Sequence, residues 1–269
     1  MCGHQNWNAK MKSYICCSHA GGQGKTTTSQ LLYTVNRQVG MPLKLWSADY
    51  TDSEGLSKLG RLFPGDVVEL GVGESISNVR SSNDRSAGVK YWDKLGHALL
   101  SDGGVFDIGA NVIDQIIDWA NVRDAKSILK ERHAPDIVAF LVCKAERRAI
   151  ADMSELVRNF GVDQALPVSK IVIVQNEAGG SFDRLPLEST ISMIPTDVPV
   201  EYFTMPACHS EMWSSMEVNF LSLDKAISMT PDRASRELDL DPFEAISAVS
   251  DLNDWLETCK EKLKAIHIL

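Results

Sequence analysis

Nine consecutive residues, His19-Ala20-Gly21-Gly22-Gln23-Gly24-Lys25-Thr26-Thr27, hold the densest chemical signal in the chain. Glycines let backbone N–H groups converge on an anion with no β-carbon in the way. A helix N-terminus just beyond them adds partial positive charge. The apolar run Tyr14–Cys17 precedes the turn, and a helical pattern over 27–39 follows it. Strand, glycine turn, Lys-Thr and helix form the layout of a phosphate-binding loop. In that reading Gly21, Gly22, Gln23, Gly24 and Thr27 cradle phosphate, Lys25 reaches the β- and γ-phosphates, and Thr26 holds Mg²⁺. The usual pattern has glycine where this chain has His19.

Three strand ends offer the partners such a loop needs, because ligands of open α/β sheets sit beyond the carboxyl ends of the strands. Trp46-Ser47-Ala48 ends in Asp49, which is placed to orient a water or a Mg²⁺ shell. Gly104-Val105-Phe106 ends in Asp107, the carboxylate expected to hold Mg²⁺, followed by the flexible Gly109. Ile171–Val174 ends in Gln175-Asn176. A carboxamide carries both donor and acceptor and matches the edge of adenine. No Asn-Lys-x-Asp guanine-reading sequence follows, which favours ATP over GTP. Each Asp or Asn has a plainer reading as a helix cap or turn residue. Their common place at strand ends favours one adenine-nucleotide site.

These sites need a sheet to hold them. Strand-like runs at 14–17, 43–48, 67–70, 104–108, 137–143 and 170–175 alternate with helical patterns at 27–39, 52–62, 89–100, 112–129 and 150–160. That order predicts an α/β fold, doubly wound, with a mostly parallel sheet and helices on both faces. Residues 71–88 read as a polar surface loop, and residues 1–12 as a flexible tail before one domain over 13–269. Beyond Asn176, Pro186, Pro195, Pro199 and Pro206 break the regularity, and helix returns from Phe243. Its apolar positions Leu252, Trp255, Leu256, Cys259, Leu263 and Ile266 share one face. We expect that face to seal the core rather than lie on a membrane. Met205, Met212 and Met216 are expected to fill the core.

The 269 residues are 44% hydrophobic and 23% charged, with a net charge of −9. That acidity excludes general nucleic-acid binding through the whole surface; DNA contact would need a local patch or a partner. The six cysteines form no C-x-x-C pair and no zinc spacing, which fits a reducing, cytoplasmic setting. No apolar run has the length of a membrane span.

The chain resembles the ParA/MinD family of P-loop ATPases, whose deviant Walker A loop reads K-G-G-x-G-K-[ST]. Ala20-Gly21-Gly22-Gln23-Gly24-Lys25-Thr26 matches all but the first position. Asp49 matches the second Asp of the family's D-x-D-x-Q element, with Ser47 and Thr51 replacing the first Asp and the Gln. Asp107 matches the Walker B Asp, and Asn176 the adenine-reading Asn. The Asp107–Asn111 segment looks closer to StbB- and TraL-like proteins of plasmid stability and conjugation than to chromosome-partition proteins. The resemblance, over residues 13–206, implies a slow ATPase with ATP and Mg²⁺, and an ATP-dependent homodimer working with plasmid-transfer or partition proteins. The family's signature Lys reaches across that dimer, and Ala20 cannot; Arg147 and Arg148 are candidate substitutes, or solvated helix-start charges. Two other readings stay open: a non-hydrolysing ATP-binding adaptor, and a small-molecule enzyme resembling dethiobiotin synthetase.

Overall fold

Seven strands form one sheet in the computed structural model, which describes residues 12–71, 85–101 and 103–269. They are β1 (Lys12–Cys17), β2 (Leu45–Ala48), β3 (Val67–Glu69), β4 (Gly104–Ile108), β5 (Asp136–Lys144), β6 (Val168–Asn176) and β7 (Val200–Met205). The order is β3-β2-β4-β1-β5-β6-β7, and every pairing is parallel. The expected α/β fold is therefore present, with a wholly parallel sheet among the described residues.

Alternation along the strands divides the core into two layers. Ile15 and Cys17 of β1 join Ile137, Ala139 and Leu141 of β5 on one face. Tyr14 and Cys16 join Val138, Phe140 and Val142 on the other. Both faces must be covered, because these strands are apolar on both sides. The first layer is covered by α3 (Arg85–Leu99), α4 (Ile113–Val122), α5 (Ala125–Glu131) and α6 (Arg147–Val157). The second is covered by α1 (Lys25–Gln38) and α2 (Lys58–Leu62), and by the C-terminal helices α8 (Met212–Val218), α9 (Leu223–Ala226), α10 (Pro231–Leu238) and α11 (Pro242–Ala265). α7 (Leu187–Ser192) sits on the first face.

Local chemistry explains where the elements depart from the periodic reading. The expected helix over 52–62 shrinks to α2. The Asp52 carboxylate accepts from the N–H groups of Glu54 and Leu56, making a side-chain turn, and Ser57 then caps α2 through Gly60 N. The expected helix over 112–129 is broken into α4 and α5 at Asp124, whose φ of 48° is left-handed. α3 starts at Arg85, so residues 85–88 of the expected loop are helical; the remainder, 72–84, lies outside the described residues. The expected tail also lies outside them, except Lys12, which opens β1 opposite Asp136.

The C-terminal helix packs inward. Leu252, Trp255, Leu256, Cys259 and Leu263 are buried, each large apolar side chain contributing roughly 1.5–3 kcal/mol. The Trp255 indole donates to Pro206 O at 2.8 Å, and Lys262 Nζ to Thr204 O at 3.0 Å. Lys260 and Lys264 pair with Glu257 and Glu261. Met205, Met212 and Met216 are buried in the same layer. No helix among the described residues is long and apolar enough to cross a membrane.

Candidate functional site

β1 lies between β4 and β5. The chain leaves it for β2 and β3 on one side, returns to β4, then crosses to β5 on the other. The crevice of a doubly wound sheet opens at such a reversal, and the glycine-rich turn occupies it. Gly22 (φ 71°) and Gly24 (φ 105°) take left-handed conformations, which suit glycine. Gly24 is also the N-cap of α1, with no side-chain cap and no acid in the first helical turn. The first N–H groups of α1 therefore lack an internal anion.

Two strand ends pin the turn. The Gln23 Oε1 accepts from Lys144 N at 2.7 Å, and Gln23 O accepts from Asn176 Nδ2 at 2.8 Å. Asn176 Oδ1 accepts from Ala178 N at 3.1 Å. The Gln23 side chain is thus an anchor to β5 rather than a contact for a bound anion. The Asn176 amide stitches β6 to the turn. Lys25, 8% exposed, folds back over the turn, with Nζ donating to Ala20 O at 3.1 Å and Ser18 Oγ at 3.3 Å. An anion held by the turn would compete for that ammonium.

The acidic side chains gather at the opposite end. Thr26 Oγ1 donates to Asp107 Oδ2 at 2.8 Å. Asp107 is 3% exposed and lies beneath Thr26, and its Oδ1 has no partner. Burial pushes its carboxyl up to about 6, and the nearby Asp49 charge adds to this. The Thr26 hydrogen bond and the Lys25 charge oppose that rise. Asp49 follows β2 and accepts from Tyr50 N at 2.7 Å. Gly109 is needed here for room: a β-carbon on it would strike the Asp49 carboxylate. Ser47, at the position preceding Ala48, is buried inside β2.

An orphaned, buried carboxylate oxygen behind a hydroxyl fits a hard divalent cation. Thr26 would hold such an ion through an oxygen lone pair while its O–H keeps donating to Asp107, and the ionised Asp107 would supply charge from behind. No group of three or more His, Cys, Asp or Glu side chains able to hold a metal exists among the described residues. Phosphate oxygens and water would therefore complete the shell.

A cleft of about 660 Å³ connects these parts, within the range of small-molecule sites. Gly21, Gly22, Gly24, Lys25, Thr26 and Thr27 line its floor, with Asp49 and Asn176 on its sides. Asp107 does not reach the wall. Several lining groups were not expected from sequence: Lys58, Lys144, the segment Pro206–His209, Trp213 and Trp255. Attention to every strand end would have found Lys144 and Pro206, which close β5 and follow β7. No pattern marks Trp213, which α8 brings in. It packs edge-to-face on Trp255, ring centroids 5.3 Å apart. Arg147 and Arg148 are exposed at the start of α6. Arg148 lines a shallow depression outside the loop with His19, Ala20 and Asp114.

The chain matches no protein-family model and no curated protein. Among solved structures it is similar to a plasmid partition protein from Borrelia burgdorferi bound to AMPPNP, at 11% identity and a TM-score of 0.47, covering 92% of this chain and 98% of that one. It is also similar to a chain of the MinC:MinD cell division protein complex of Aquifex aeolicus, at 13% identity and a TM-score of 0.43, covering 92% and 96%. The cell division ATPase MinD of Pyrococcus furiosus aligns at 14% identity and a TM-score of 0.39, covering 93% and 99%.

Proposed function

We propose that the chain is an ATP-binding protein of the ParA/MinD kind that hydrolyses ATP slowly with Mg²⁺. The observation that carries this reading is the Thr26–Asp107 hydrogen bond, with Asp107 Oδ1 left unpartnered, directly beside the glycine turn and Lys25. Thr26 and the glycine turn line one cleft, which supports a cation and a polyphosphate bound side by side. Polyphosphate would lie along Gly21–Thr27, with the base toward Asn176 and Met205–Pro206. Lys25 and the turn's N–H groups would stabilise charge on the γ-phosphate. Asp49 would orient water for attack on that phosphorus as the bond to the β-phosphate oxygen breaks, giving ADP and phosphate.

The resemblance of the loop and strand-end residues extends the reading to an ATP-dependent homodimer serving plasmid maintenance or conjugative DNA transfer. The partners would be other transfer or partition proteins, with DNA reached through them or a local patch. The free cysteines Cys16, Cys17, Cys143, Cys208 and Cys259 support a cytoplasmic setting.

ATP titration and phosphate release for the natural chain and Lys25→Ala test the core of this proposal. Loss of ATP affinity in Lys25→Ala supports it; unchanged affinity removes the turn from nucleotide binding. One observation favours a second reading: Ala20 brings no charge to the depression outside the loop. Tight ATP binding with no phosphate release, even with DNA and partner proteins added, would make the chain a non-hydrolysing adaptor.

A further inference from the structure

We infer that Lys144 is a second phosphate-binding cation of the cleft, supplied by β5 and not by the glycine turn. The inference rests on the reading of this cleft as a polyphosphate site.

Placement is the first support. β5 pairs with β1 in parallel, Cys17 opposite Leu141, so Lys144 ends its strand beside the turn that follows β1. Its backbone N–H donates to Gln23 Oε1 at 2.7 Å, which fixes its Cα to the turn. Its aliphatic stem runs past Gly179, where an added β-carbon would lie 3.3 Å from Lys144 Cδ. The stem is therefore guided rather than free. Lys144 lines both the cleft and the depression outside the loop, the two spaces that meet across Gly21 and Gly22.

Charge is the second. The chain carries −9 overall, and Asp49 and Glu217 line the cleft itself. A polyphosphate entering there needs cations to offset both its own charge and theirs. Lys25 is already shared between Ala20 O and Ser18 Oγ. Lys58 faces Glu217 at 4.0 Å. The Lys144 ammonium makes no hydrogen bond or ion pair among the described residues. Asp114, Glu146, Asp152 and Glu155 line the depression beside it, but none is ion-paired to Lys144 among the described residues, so an anion in the cleft can take this ammonium without breaking a pair.

Calorimetric titration of MgATP into the natural chain, Lys144→Met, Lys144→Arg and Lys25→Ala tests this. Met keeps the stem and the backbone N–H, so thermal unfolding should be unchanged. Lys144→Met is expected to weaken MgATP binding about tenfold, the scale of one charge-assisted contact. It should also flatten the fall of affinity with added salt, which a merely structural role would not do. Lys144→Arg should retain most of the affinity. Natural affinity and salt dependence in Lys144→Met, with affinity lost in Lys25→Ala, would overturn the inference and leave the site reading intact. Natural affinity in both variants would overturn the two together.

Discussion

The side-chain amide of Asn176 fills the space where a β-carbon of Gly24 would stand, and it donates a 2.8 Å hydrogen bond to Gln23 O. The turn after β1 and the end of β6 are therefore built around each other. Gly24 is left-handed at φ 105° and has no room for a side chain. Gly24→Ala should cost about 2–4 kcal/mol, from backbone strain and the displaced amide. It should also abolish nucleotide binding. Denaturant midpoints and ATP titration measure both effects, and a variant matching the natural chain in each would show that the turn tolerates another shape.

Asn176→Ala removes two hydrogen bonds at a residue only 4% exposed, those to Gln23 O and from Ala178 N. We expect a stability loss of about 2 kcal/mol and weaker binding of ATP. If Asn176 also reads the base, discrimination between ATP and GTP narrows in the variant. Equal losses for both nucleotides would confine Asn176 to shaping the turn.

Asp107 gives a pH signature. Its carboxyl is pushed up to about 6 by burial, from an ordinary value of 3.8. Between those values the folded chain holds a proton that the unfolded chain has released. Stability therefore falls as pH rises through that window, and the full penalty applies above it. Asn still accepts from Thr26 but cannot ionise. Asp107→Asn should be more stable near pH 7.5 by on the order of 2 kcal/mol, with the gain fading toward pH 4. A gain that does not change with pH would show that the carboxylate titrates normally. Mg²⁺-dependent ATP binding should move the other way and weaken in the variant.

Asp49 stands at the cleft wall with Gly109 pressed against it. Asp49→Asn retains the acceptor for Tyr50 N and removes the charge. Phosphate release should fall roughly 10²-fold or more, the scale of positioned acid–base groups, while ATP affinity changes little. Equal turnover in the two proteins would take Asp49 out of the hydrolytic step.

Leu256 on α11 is 1% exposed. Leu256→Ala should cost about 2–5 kcal/mol of stability. Sedimentation with anionic vesicles should be the same for the variant and the natural chain. Vesicle binding that disappears in the variant would instead assign the apolar face to lipid.

Much of the candidate site's layout was readable because its signals are local. Glycine spacing dictates a turn, and Lys-Thr after it opens a helix. Asp49, Asp107 and Asn176 were found by their place at strand ends. What local pattern could not show was how side chains are spent. Gln23 turns from the cleft toward β5, and Asp107 lies below Thr26 instead of facing the cleft. The break at Asp124 and the side-chain turn at Asp52 shortened two expected helices, because a left-handed residue or a carboxylate bonded to nearby N–H groups overrides apolar periodicity.

By itself the sequence determined the parallel α/β architecture and the order of its acidic and carboxamide partners, since strand burial and turn chemistry act over a few neighbouring residues. Only the tertiary structure decided which strand ends meet. The reversal at β1 brings β4, β5 and β6 to one turn, sets Asn176 against Gly24, and puts Lys144 at the cleft wall. Those relationships depend on contacts between residues 81 to 153 positions apart, which no local spacing encodes.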